Sequence, residues 1–288
     1  MLLQGRFHMG AALLIDWNSM IIKDVAVSMP GSYASFTTYF LQTPEGALPH
    51  DRPLVIVIPG GGYSHLSARE GEPIALKMNA LGYHACVLRY SVSPALYPQA
   101  LTELAWAMAW VRTHAEQYGI DASRIAVAGF SAGGHLAACL GVFWDSAWLA
   151  KEVDADEGSI RPNALLLGYP VITSGEFAHR GSFERLCGED EQLASSLSIE
   201  HAVTNRMPPA FIWHTFDDEK VPVENSLLLA GAMSRAGVPC AMHVFSHGKH
   251  GSALATRETA FMGSPGHIVE EIQAWPLLFQ TWFSSLSL

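Results

Sequence analysis

Short, solidly apolar runs alternate along this chain with stretches whose apolar positions recur every three or four residues. Pro53–Ile58 (PLVIVI) and Tyr83–Tyr90 (YHACVLRY) are continuous runs of the kind that strands buried on both faces show. Arg124–Gly129, Asn163–Tyr169, Pro209–His214 and Cys240–Phe245 repeat that pattern. Met20–Ser28 and Ala34–Gln42 read as two earlier strands joined by the turn Met29-Pro30-Gly31-Ser32. Between these runs, Leu101–Tyr118 carries the stripe Leu104, Met108 and Val111, and Ser131–Gly141, Val223–Ala236 and Ile268–Ser284 also have helical spacing. Strands interleaved with helices predict an α/β fold, a mostly parallel sheet covered by helices on both faces.

One stretch breaks the rhythm. From Thr173 to Met207 the chain is polar, with Gly175, Gly181 and Gly188 and the acidic run Glu189-Asp190-Glu191. A long segment without a strand, lying between the sixth and seventh strands, predicts a short cap-like insertion over a site. No repeat, low-complexity tract or linker interrupts residues 1–288, which are read as one domain.

Composition narrows the classes. Charged residues make up 15% of the 288, and hydrophobic ones 49%, which excludes a disordered chain. With 17 basic and 27 acidic residues the net charge is −10, and no Lys/Arg cluster marks a nucleic-acid partner. The apolar stretch Gly10 to Ile15 is short for a secretory signal, and Met9 and Met20 are alternative starts. No run reaches the length of a membrane span. Cys86, Cys139, Cys187 and Cys240 are widely spaced without a CxxC pair, which points to free thiols in a reducing cytoplasm.

Chemistry concentrates at the strand ends. Gly129-Phe130-Ser131-Ala132-Gly133 is a GxSxG pattern lying between a predicted strand and a predicted helix. There a serine sits on a tight turn with its hydroxyl above the sheet, and the following helix turns N–H groups toward developing negative charge. A dinucleotide fingerprint would need glycine where Ser131 stands. A serine hydroxyl needs a base, and past the next strands come Asp217-Asp218 and then His247 and His250. His250, between Gly248 and Gly251 on a loop after the last strand, can reach over Ser131, with His247 its competitor. Pro59-Gly60-Gly61-Gly62-Tyr63, after PLVIVI, exposes backbone donors suited to an oxyanion. His84, His114 and His243 read as packed or surface histidines, and the group His243, His247 and His250 lacks metal-site spacing, so no metal is expected.

The motifs PGGGY at 59–63, YGIDASRIAVAGFSAGGHLAA at 118–138, PPAFIWHTFDDEKVPVENS at 208–226 and HVFSHGKHG at 243–251 resemble the α/β-hydrolase superfamily. Within it the chain is similar to the esterase/lipase group of acetylxylan and feruloyl esterases and hormone-sensitive-lipase-like carboxylesterases, from about Pro53 to Leu254. The resemblance implies Ser131 as nucleophile, His250 as general base and Asp218, three residues before Val221-Pro222, as the orienting acid, with Asp217 as the fallback. It implies oxyanion donors at Gly61, Gly62 and Ala132. Ile58-Pro59 stands where the HGGG form of the loop has histidine, which shifts the likeness toward acetyl esterases.

The implied reaction is hydrolysis of short-chain, above all acetyl, esters, on small molecules or carbohydrates, through an acyl-serine and without a cofactor. Substrate contacts are expected from Tyr63, Phe130, Phe177 and His179. The rival readings are a prolyl-oligopeptidase-like peptidase or amidase and a non-catalytic hydrolase-fold binding protein. No membrane partner is expected, and a homodimer stays open.

Overall fold

The computed structural model describes residues 20–287. The stretch Gly10 to Ile15 and the alternative start at Met9 lie outside the described residues. Eight strands form one sheet: β1 Met20–Ala26, β2 Ser35–Leu41, β3 Arg52–Ile58, β4 His84–Arg89, β5 Ile120–Phe130, β6 Ala164–Gly168, β7 Ala210–Thr215 and β8 Cys240–Phe245. Their order is β1-β2-β4-β3-β5-β6-β7-β8. The pairs β1–β2 and β2–β4 are antiparallel, and every pairing from β4 to β8 is parallel. The helices are α1 Glu72–Ala80, α2 Gln99–Thr113, α3 Ala115–Tyr118, α4 Ala132–Phe143, α5 Ala147–Glu152, α6 Arg180–Cys187, α7 Glu191–Ser196, α8 Glu224–Ala236 and α9 Trp275–Ser285. Among the described residues no helix is long and apolar enough to cross a membrane.

Alternation along the central strands sorts side chains into two cores. Leu54, Ile56 and Ile58 of β3 join Leu104 and Met108 of α2, Leu136 and Leu140 of α4, and Leu229 and Met233 of α8 on one face. Val55 and Val57 turn the other way, to Ile74 and Met78 of α1 and Trp275, Phe279 and Phe283 of α9. Both faces are therefore covered, which is why Leu54–Ile58 of β3 and all of β6 carry no polar side chain. Each fully buried Leu or Phe contributes about 1.5–3 kcal/mol over leaving it exposed.

Three elements differ from the sequence expectation. The helix expected over 101–118 breaks at His114, whose Nδ1 lies 2.8 Å from the Trp110 carbonyl and whose ring stacks on Trp110 at 4.2 Å. The last helix begins only at Trp275, with Pro276 in its first turn, where a missing N–H costs nothing. The stretch 268–274 instead ends in a 3-10 turn, Glu271–Ala274. Helix α1 has no strong stripe to announce it, yet it buries Ile74, Ala75 and Met78. Between β6 and β7 the chain leaves the sheet and forms α6, α7 and a 3-10 turn, Ile199–His201.

Candidate active site

Ser131 stands between the last residue of β5 and the first of α4, at φ 53° and ψ −120°. An L-residue is held there at a cost of about 1–3 kcal/mol, so the surroundings must enforce it. Its N–H donates to Gly168 O at 3.0 Å, and its carbonyl accepts from His135 N and Val171 N, both at 3.1 Å. Gly133 explains part of the glycine pattern, since a Cβ there would fall 2.2 Å from the carbonyl oxygen of Ile58. The start of α4 is pressed against the end of β3.

The loops after β7 and β8 bring the partners. His250 Nε2 lies 2.9 Å from Ser131 Oγ, and His250 Nδ1 lies 2.6 Å from Asp218 Oδ2. With Nδ1–H donating to the carboxylate, Nε2 is left to accept the serine proton. Asp218 Oδ1 accepts from the N–H groups of Lys220 at 2.9 Å and Val221 at 3.0 Å. Burial works against the charge of Asp218, but hydrogen bonds from His214 and His250, the His250 charge and the Val221 N–H outweigh it and hold its pKa well below the usual carboxylate range. His214 is fully buried between Ser226 Oγ at 2.7 Å and the Val221 carbonyl at 2.9 Å, and its Nε2 is 3.5 Å from Asp218 Oδ2. Asp217 instead accepts from Gly248 N at 2.8 Å and is exposed, and exposed His247 meets Ser246 Oγ at 2.9 Å. Neither of these two alternatives comes to Ser131.

The glycine loop lies against the serine turn. A Cβ on Gly60 would stand 2.6 Å from the Phe130 carbonyl oxygen and 2.9 Å from Ser131 Cβ, so only glycine fits. Gly60 N donates to Glu70 Oε2 at 2.9 Å, while the N–H groups of Gly61 and Gly62 donate to no protein acceptor among the described residues. Ala132, the first residue of α4, has no preceding helical carbonyl to take its N–H. The donors Gly61, Gly62 and Ala132 thus remain open around the serine turn.

Glu70 ties this loop to the histidine loop. It is 2% exposed, and its Oε1 accepts from Tyr169 OH at 2.6 Å. Tyr169 OH accepts in turn from Ala253 N at 3.1 Å, and the Tyr169 ring meets the His250 ring edge to face at 5.0 Å. Neither Glu70, Tyr169 nor His214 is singled out by the sequence. The only local hint is the position of Tyr169 just past β6, at a strand end like the other site residues.

The expected substrate contacts divide. Tyr63 is 2% exposed and turned inward, with its hydroxyl 2.9 Å from His135 Nδ1, so it braces the glycine loop from below rather than meeting substrate. Phe130 is fully buried and packs on Tyr169 and Trp275, because the alternation of β5 sends it to the α1/α9 face. Phe177 is half-buried, offers its carbonyl to Asn225 Nδ2 at 2.9 Å, and lies outside the cavity lining. His179 does line the cavity, its Nδ1 2.8 Å from Ser182 Oγ. Burial, then the nearby charges of His250, Arg185 and Lys220, lower the pKa of His179. The cavity itself measures about 400 Å³ and includes Ser131, His250, Gly61 and Gly62. His243 lies apart, packed on Phe211, and among the described residues no three His, Cys, Asp or Glu side chains gather as a metal site would need.

The chain is similar to known proteins in sequence and in fold. The profile of the BD-FAE family matches residues 41–233. An endo-1,4-beta-xylanase B from Butyrivibrio fibrisolvens is 38% identical over 72% of this chain, and an acetylxylan esterase from Xylanibacter ruminicola is 30% identical over 70% of it. The chain spans 33% and 41% of the lengths of these two relatives. An acetyl ester-xyloside bifunctional hydrolase from Caldicellulosiruptor lactoaceticus superposes with a TM-score of 0.79 at 38% identity, covering 95% of this chain and 98% of that one. A carboxylesterase, Cest-2923, from Lactobacillus plantarum WCFS1 superposes with a TM-score of 0.80 at 32% identity, covering 92% and 96%.

Proposed function

Because the chain belongs to the BD-FAE family, whose α/β-hydrolase fold it has, we propose that it is a serine carboxylesterase that removes short acyl groups, above all acetyl, from carbohydrate alcohols. The observation that carries the reading is the continuous line of hydrogen bonds from Ser131 Oγ through His250 to Asp218. His250 Nε2 takes the hydroxyl proton as Ser131 Oγ attacks the ester carbonyl, and Asp218 holds the ring in the needed tautomer and stabilises its cation. The N–H groups of Gly61, Gly62 and Ala132 receive the oxyanion, each worth roughly 2.7–4 kcal/mol to the transition state. The protonated His250 then gives its proton to the leaving alcohol, and water, activated by the same nitrogen, releases the acid from acyl-Ser131.

Four unpaired cysteines, three of them buried, support a cytoplasmic setting. Relatives whose names include an acetylxylan esterase and an acetyl ester-xyloside hydrolase support the choice of acetyl groups on sugars. The test is Ser131→Ala with p-nitrophenyl acetate, which should lower kcat by at least about 10³-fold while the melting temperature holds. Retained turnover would move the nucleophile elsewhere.

A further inference from the structure

The cavity over Ser131 has a wall unlike the rest of the molecule. In a chain of net charge −10 it is lined by Arg69, Arg185 and Lys220, with Glu70 the one carboxylate among the lining residues. Glu70 is buried and both its oxygens are taken, by Gly60 N–H and Tyr169 OH. None of the three cations forms an ion pair among the described residues. Arg69 gives its guanidinium to the carbonyls of Gly251 at 2.8 Å and Thr259 at 2.6 Å and lies over the Phe261 ring at 3.6 Å. Its charge is thereby fixed at the wall. Among the described residues Arg185 reaches only the carbonyl of Gly181, at 2.6 Å, and its Nη1 stands 3.9 Å from where a Cβ on Gly62 would be, beside the open donors. Lys220 is exposed. Burial first lowers the pKa of His179 and of His267; His250, Arg185 and Lys220 lower the former further against Asp218, and Arg69 and Lys220 the latter against hydrogen bonds to the Ser264 and His250 carbonyls.

Like charges drawn around one cleft repel each other, and such a cleft concentrates ligands of the opposite sign. An acetyl group is small, and once it sits at the serine the remaining space and its charged wall face the alcohol. We propose that the alcohol part of the ester carries an anionic group, so that the substrate class is the short-chain acyl ester of an acidic alcohol, in carbohydrate form an acylated acidic sugar unit. This rests on the esterase reading and narrows it. Arg185 and Lys220 are the groups that meet the anion, and Arg69 adds its field.

The experiment compares para-acetoxybenzoate with para-acetoxybenzamide, a matched pair with a charged and a neutral alcohol. Each kcat/KM is divided by the hydroxide rate constant of the same ester. The wild type should favour the anion by about 10-fold or more, and the preference should fade as salt rises from about 0.01 M to about 1 M, where screening shortens to a few ångströms. Lys220→Gln should lower the ratio, and Arg185→Gln with Lys220→Gln should bring it to about one. A second pair, mono-p-nitrophenyl glutarate and p-nitrophenyl valerate, places the charge on the acyl side and should show no preference for the anion. A ratio near one in the wild type, a ratio unchanged in the double variant, or a preference confined to the acyl-side pair overturns the proposal. If the benzamide ester is cleaved without any preference, the esterase reading stands and the anionic alcohol falls. If neither acetate is cleaved, the esterase reading itself is wrong and this inference goes with it.

Discussion

Two neighbouring carboxylates, Asp217 and Asp218, show how much a single position decides. Asp218 is 7% exposed and receives His250, His214 nearby and two backbone N–H groups, whereas Asp217 faces water and, among the described residues, holds only Gly248. Asp218→Asn keeps the volume but removes the acceptor that sets the His250 tautomer, so kcat should fall by about 10³–10⁴-fold. Asp217→Asn should stay within about threefold of wild type, since an exposed acceptor contributes little to the chemistry. Steady-state turnover of p-nitrophenyl acetate decides between them, and the reverse ranking would exchange their roles. The sequence leaves this pair open on residue type alone, and the likeness to the family's Val-Pro spacing favoured Asp218. His214 was out of reach in the sequence because nothing in PAFIWH separates a packed strand histidine from one set against a carboxylate.

At the scale of elements, one buried acid ties together the loops after β3, β6 and β8. Glu70 holds the loop after β3 through Gly60 and, by way of Tyr169, the loop after β8 at Ala253. Glu70→Gln can satisfy only one of its two donors, so one loop is released. Displacing a reacting group by about 1 Å costs around 10²-fold, and kcat/KM should drop by roughly 10–100-fold. Losing a hydrogen bond to a charged group should lower the unfolding free energy by about 1.5–3 kcal/mol. Turnover and urea melts measured on the same preparation check both, and full turnover with lowered stability would leave Glu70 as a structural pin alone. The strands and the GxSxG turn were legible because period and glycine placement are local signals. Glu70 was not, because its role exists only once the loops after β3, β6 and β8 meet. Tyr63 and Phe130 were misread for a related reason: closeness in sequence to a site says nothing about which way a side chain turns, and both turn inward.

For the whole molecule, buried histidines set the acid limit of stability. Burial pushes His84 and His135 each down to about 4, and the carbonyl bonds to Gly119 and Leu197 only partly oppose it. The unfolded chain takes up these protons near pH 6.5 and the folded chain only near 4, so stability is full above about 6.5 and is lost as pH falls between those values. Asp218, with its pKa held below that of the unfolded chain, contributes above about pH 4 and is lost only below that window. Urea melts should therefore show a lower unfolding free energy at pH 5 than at pH 7, by about 1–2 kcal/mol for each histidine. His84→Gln should shrink that difference by one such share. An unchanged difference in the variant would show that His84 does not titrate in this way.

The segment between β6 and β7 supplies His179, Gly181 and Arg185 to the cavity, while Ser131, Asp218 and His250 come from the ends of other strands. Part of the cavity wall is thus written in a stretch of the chain that carries none of the triad. Phe183, Leu186, Leu197 and Ile199 of that stretch are core, and the Leu197 carbonyl holds His135, but Arg185 and its neighbour Glu184 are exposed. A change confined to such outward positions alters the mouth of the cavity and leaves the packing under the serine turn in place.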